Sequence, residues 1–222
     1  TSIIAILSLG IFVLAKGYRQ RSNVIFFILS IVLSIFEAAY IIGVNISNAH
    51  TSRYALMFTV VYLLIPVITL QFVYAITDKL AKYKNLVYFL YAIALALITF
   101  NVLFSGLYLR ASIPKLYFIN YFNPGDLFYV SLIFFAVVAT LSIVGILTSF
   151  GGASVIVRNR LKYFLITILL GYTIGSTMVL LAYDLPIDPI LASFMGLYAI
   201  PFAYGILKYE LMDIQIVAKR SL

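Results

Sequence analysis

The 222-residue chain has no cysteine, no tryptophan, a single histidine (His50) and only seven aspartates and glutamates. Without cysteine there is no disulfide, thiolate metal site or cysteine nucleophile, and the redox compartment is left open. One histidine excludes a multi-histidine metal centre, so no metal site and no cofactor is expected. No nucleotide-binding loop or ion-conduction signature is present, and nothing reads as an active site. Charged residues make up only 10% of the chain, against about 25% in ordinary soluble domains. What fills the space is apolar: 64% of residues are hydrophobic and mean hydropathy is +1.13. Such a chain is an integral membrane protein, with the lipid bilayer as its first partner. Its net charge of +8 therefore speaks of orientation and of anionic lipid heads rather than of nucleic acid.

Seven apolar runs follow one another: Thr1–Ala15, Val24–Val44, Tyr54–Thr77, Leu86–Gly106, Leu127–Phe150, Tyr163–Ala182 and Ile190–Leu207. Most reach the ~20 residues that a spanning helix needs, and none alternates as a strand would. The first run is short, so its helix either is tilted or begins before Thr1. The expected fold is an all-α seven-helix transmembrane bundle over 1–207. Residues 208–222 are expected to continue the last helix as a cytoplasmic connector. Lys16, Arg19, Arg21, Lys79, Lys82, Lys84, Arg158, Arg160, Lys162, Lys208, Lys219 and Arg220 fall on one side of the runs, leaving Arg53, Arg110 and Lys115 on the other. The positive-inside rule then puts the N-terminus outside and the C-terminus in the cytoplasm.

The long outer connection, 107–126, is rich in Tyr and Phe and ends in the turn signature Asn123-Pro-Gly-Asp126. It reads as an aromatic flap at headgroup level, either an interfacial anchor or a lid. Glu37 is the one ionisable side chain well inside a span. A carboxylate there costs a few kcal/mol, so it should face the bundle interior or a wet cavity. Depth alone brings it level with Tyr40, Thr59, Tyr62, Asn101, Ser131, Ser176 and Thr177. These are the candidate ligand-binding residues, an apolar pocket with a few polar points. Gly171 and Gly175 form a G-x-x-x-G pair that fits close helix packing. The seventh run has no interior lysine, which excludes a retinal Schiff base there.

The end of the chain carries the most specific pattern, Tyr198-Ala-Ile-Pro-Phe-Ala-Tyr-Gly-Ile-Leu-Lys-Tyr-Glu-Leu-Met-Asp-Ile214. With Glu37 late in the second run, Leu64-Ile-Pro66 in the third and Arg158-Asn-Arg-Leu-Lys-Tyr-Phe164 entering the sixth, the chain resembles the N-terminal seven-transmembrane sensor region of bacterial and archaeal histidine kinases. The resemblance extends over nearly all of the chain, through degenerate motifs. Its lack of tryptophan departs from relatives, and no phosphoacceptor histidine segment or ATP-binding motif is present. The resemblance implies a signal-input domain in a cytoplasmic membrane, without catalysis of its own, dimeric in the full-length protein. The signal is expected to be hydrophobic or lipid-like, and to pass through the seventh helix by Pro201, Lys208, Tyr209, Met212, Asp213 and Ile214. Two other readings stay open: a small proton-coupled transporter using Glu37, and a structural subunit that recruits a cytoplasmic partner.

Overall fold

The computed structural model describes residues 2–151, 153–190, 196, 201, 202 and 204, and these are mostly helical. Five segments are long and apolar enough to cross a membrane. They are α2 (Arg21–Asn45), the composite of α3 (Ala49–Met57) and α4 (Leu64–Ile76), α5 (Leu80–Leu103), α7 (Phe128–Leu147) and α8 (Val155–Ala182). Helix α1 (Ser2–Lys16) is apolar but only 15 residues long. These helices account for the first six apolar runs. Most of the seventh run lies outside the described residues, as do Lys208, Tyr209, Met212, Asp213 and Ile214.

Tight, basic turns gather at one end of the bundle. Asn23 donates to the Gly17 carbonyl (3.0 Å) and the Val13 carbonyl (3.3 Å), closing the α1–α2 turn. Asp78 adopts the left-handed conformation (φ 56°) between α4 and α5. Lys79 Nζ donates to Ser149 Oγ (2.8 Å), joining that turn to the end of α7. Residues 158–162, expected in a loop, already lie in α8, because the Ser154 hydroxyl accepts from the Val157 amide and starts the helix early.

The opposite end departs from the all-α expectation. After the single-turn helix α6 (Ser105–Tyr108), the aromatic connection folds into an antiparallel hairpin, β1 (Ile113–Lys115) and β2 (Phe118–Tyr121). Hydropathy could not reveal it, since both strands are short and their side chains serve as anchors rather than as a membrane face. Asn120 Nδ2 donates to the carbonyls of Ile46 (2.7 Å) and Ser47 (3.0 Å) past the end of α2. On the other side Lys115 is buried, donates to the Ala182 carbonyl and pairs with Asp184 (2.9 Å). An ammonium at this helix C-terminus meets its unsatisfied carbonyls and the negative end of its dipole. Arg53 adds a third tie, donating to the Leu109 carbonyl and Ser105 Oγ (both 2.7 Å). Gly125 is required in the cap, since a Cβ there would stand 2.2 Å from the Leu107 carbonyl oxygen. The flap is thus an ordered cap, tied to α2, α3 and α8.

The third span is not one regular helix. Residues Phe58–Leu63 form a 3-10 turn between α3 and α4. Pro66 supplies the cause: it has no amide to bond the Tyr62 carbonyl, and its ring crowds that oxygen. The tighter winding eclipses residues three apart, so Thr59 and Tyr62 come to the same side, and both are buried.

Candidate ligand cavity

Helix α2 has two distinct buried faces. Asn23, Ser30, Ser34 and Glu37 recur at helical spacing on the side packed against α1. Gly10 permits that packing, because a Cβ there would sit 2.7 Å from Ser30. Glu37 is only 2% exposed and lies beside Ser2 of α1, with its Oε2 unpartnered. About 100° around the helix, Phe26, Leu29, Leu33 and Phe36 face the other way. They form one wall of a cavity of about 350 Å³.

The cavity runs between α2, the 3-10 turn, α4, α7 and α8. On α8 its lining extends from Phe164 to Ala182, roughly 27 Å at 1.5 Å per residue. It is therefore long and narrow, parallel to the helices. At the basic end an aromatic cluster closes it. Phe26 stacks on Phe202 (4.2 Å between centroids), and Phe72 packs on Phe164 (4.7 Å). At the hairpin end Tyr108, Phe122 and Phe128 roof it. Behind that roof Tyr40 stacks on Phe122 (6.0 Å), and the Tyr121 hydroxyl donates to the Met178 carbonyl of α8 (3.1 Å).

No charged side chain is among the described residues that line the cavity. Its polar side-chain groups are all hydroxyls. Thr59, Thr167 and Ser176 donate to carbonyls of their own helical turns and are already satisfied. The hydroxyls of Tyr62, Tyr108 and Tyr172 are buried and make no well-formed hydrogen bond. Other hydroxyls stand close to each of them: Ser131 and Tyr108 to Tyr62, Thr59 to Tyr108, and Thr69 and Ser142 to Tyr172. Three buried phenols without a well-formed hydrogen bond around one cavity are a structural feature to be explained. Burial also holds the Tyr108 phenol of the cap well above its ordinary pKa, as burial and neighbouring Tyr40 do for Tyr121. Exposed Tyr117 is raised too, chiefly by its hydrogen bond to Asp188 (2.6 Å).

Of the eight residues selected by depth, Thr59, Tyr62 and Ser176 line the cavity. Tyr40 belongs to the roof's outer layer. Asn101 and Ser131 are buried together behind Tyr62, with Asn101 Nδ2 donating to Ser131 Oγ (2.9 Å). Thr177 is buried and bonded to Ile174 of its own helix. Glu37 lies on the α1 side, off the cavity lining. Pro201, the described member of the proposed transmitting set, directly precedes Phe202 of the aromatic floor.

Tyr172 and Phe135 were not foreseen, whereas Tyr108 and Phe122 come from the aromatic connection read as an anchor or a lid. Tyr172 carried a signal, since a phenol in the middle of an apolar run needs a partner or a cavity. A Cβ built on Gly171, one member of the G-x-x-x-G pair, meets nothing within 4 Å among the described residues. Beside it, Ala136 of α7 and Ser176 of α8 line the cavity while also being exposed. The two helices approach each other only sparsely. Small residues therefore flank a seam between cavity and surface.

The chain matches no family model, no curated protein and no solved structure. The class that the fold itself defines is a helical protein with several membrane-spanning segments and an apolar internal cavity under a hairpin cap.

Proposed function

We propose that this chain is a membrane-embedded signal-input domain, whose cavity takes up a hydrophobic or amphipathic molecule and passes its presence to the seventh helix. One observation carries the reading: an apolar cavity in the span region, lined by the buried tyrosines Tyr62, Tyr108 and Tyr172 and closed at its floor by Phe202 of the seventh run. An occupant pressing on the Phe26–Phe202 stack would act next to Pro201, ahead of the expected connector at 208–222. A ligand biases a two-state element only if it binds the two states differently, and the seventh run meets the cavity through Phe202. The resemblance to sensor regions of bacterial and archaeal histidine kinases supports the same role, in a cytoplasmic membrane and in a dimeric full-length protein. A proton-coupled carrier would need Glu37 on the ligand path, whereas it faces α1.

The chain has no cysteine, so Lys82→Cys with Lys208→Cys gives a clean pair for spin labelling. Adding a total lipid extract of the expressing cells to delipidated protein should change the label separation by roughly 1–2 Å or more. Proton flux into liposomes should stay at background. Flux above background, or an unchanged separation while mass spectrometry shows the cavity occupied, would overturn the reading.

A further inference from the structure

The lining chemistry narrows what the cavity accepts, an inference that rests on the ligand-cavity reading above. We infer that its occupant is a neutral, single-chain amphiphile whose acceptor oxygen lies beside the Tyr62–Tyr108 hydroxyl pair. Its hydrocarbon chain runs along α8 toward Phe164, and it enters from the bilayer through the α7–α8 seam.

Three observations converge on this class. Shape comes first, because a lining that follows α8 from Phe164 to Ala182 with a volume of about 350 Å³ suits an extended chain better than a compact ring system. Charge comes second. No Lys, Arg, Asp or Glu lies among the described lining residues, so an ionised head would be buried without a counter-charge, which is heavily disfavoured. Glu37, the nearest candidate counter-ion for a cationic head, is turned toward Ser2. A free carboxylate, phosphate or ammonium is thereby disfavoured, and an ester, ketone or alcohol remains. Third is the position of the phenols that make no well-formed hydrogen bond. Tyr62 and Tyr108 stand together near the hairpin end, which places the polar head under the cap. Tyr172, packed edge-on to Phe135 (5.3 Å), offers a second polar point further down the chain.

The seam gives the route. Ala136, Gly171, Gly175 and Ser176 keep the wall thin where α7 and α8 separate. A ligand dissolved in the hydrocarbon core reaches the cavity there without crossing the stitched cap.

The test is native mass spectrometry of the whole chain at pH 8, with methyl palmitate, palmitate and hexadecyltrimethylammonium as probes. Methyl palmitate should bind one to one, with the two ions at least about tenfold weaker. Replacing both phenols, Tyr62→Phe with Tyr108→Phe, should weaken methyl palmitate about tenfold, as expected for two lost hydrogen bonds. Gly171→Trp should abolish its binding and Gly171→Ala should not, with circular dichroism reporting that both variants are folded. Equal retention of palmitate or of the ammonium overturns the neutral-head assignment. Methyl palmitate retained undiminished by the double phenylalanine variant overturns the head position, and retention by folded Gly171→Trp overturns the seam. Failure of the signalling reading shows differently, as a bound neutral probe that leaves the Lys82–Lys208 label separation unchanged.

Discussion

The two buried sides of α2 are made from similar lengths of helix and reach opposite results. Toward α1, small and polar residues allow close approach, with Gly10 against Ser30 and Glu37 beside Ser2. Toward α7 and α8, aromatic and branched residues hold the neighbouring helices apart, and a cavity results. The polar side is the packed side, and the apolar side is the open one. In lipid this inversion is reasonable. Apolar surface gains little by leaving hydrocarbon, so helices join through small residues and hydrogen bonds, and large side chains can leave room for a lipid-like guest. The carboxylate therefore belongs to the packed seam, while the cavity's polar groups without a well-formed hydrogen bond are phenols.

Two glycines test this contrast most severely. Gly10→Leu puts a branched side chain into Ser30 and should cost about 1–3 kcal/mol or more, seen as a fall in melting temperature in detergent. Gly171→Leu enters open space and should leave stability equal or raised by up to about 1 kcal/mol, because glycine is the poorer helix former. Equal losses at both sites would erase the distinction between packed seam and cavity.

Alkaline pH should separate the same regions more gently. Tyr108 and Tyr121 of the cap have folded pKa values above the ordinary 10.0. The folded cap thus holds protons that the unfolded chain gives up. Its contribution to stability is complete below pH 10 and is lost as pH rises through the raised values. Protection against hydrogen exchange, relative to the intrinsic base-catalysed rate, should fall at 118–121 above pH 10 while that of Ser30–Glu37 is unchanged. Tyr121→Phe should reduce that pH dependence. Simultaneous loosening of both regions would mean that the cap is not an independent roof.

The smallest effect is expected at Glu37. Glu37→Gln keeps the shape of the seam and should alter methyl palmitate binding less than twofold by native mass spectrometry. A loss comparable to that of the double phenylalanine variant would put the carboxyl on the ligand path after all.

Composition and run length were enough to mark a membrane protein and to place α2 and α7 to within a few residues, because hydrophobic length is a one-dimensional property of the chain. They were also enough to single out Thr59, Tyr62 and Ser176 by depth. Depth is one coordinate of three, however. Glu37, Asn101, Ser131 and Thr177 shared it and point elsewhere, since only packing decides which face of a helix meets which neighbour. The Pro66 effect on the third span was latent in the sequence, yet its consequence depended on what stood opposite the displaced turn. The hairpin depended on pairing across a loop and on anchors at Lys115 and Asn120 that hydropathy does not read. By itself the sequence determined that the chain enters a membrane and roughly where. Only the tertiary structure decided that the polar face of α2 would be filled and its apolar face left hollow, because contact between helices is set by side-chain size and direction, not by hydrophobicity alone.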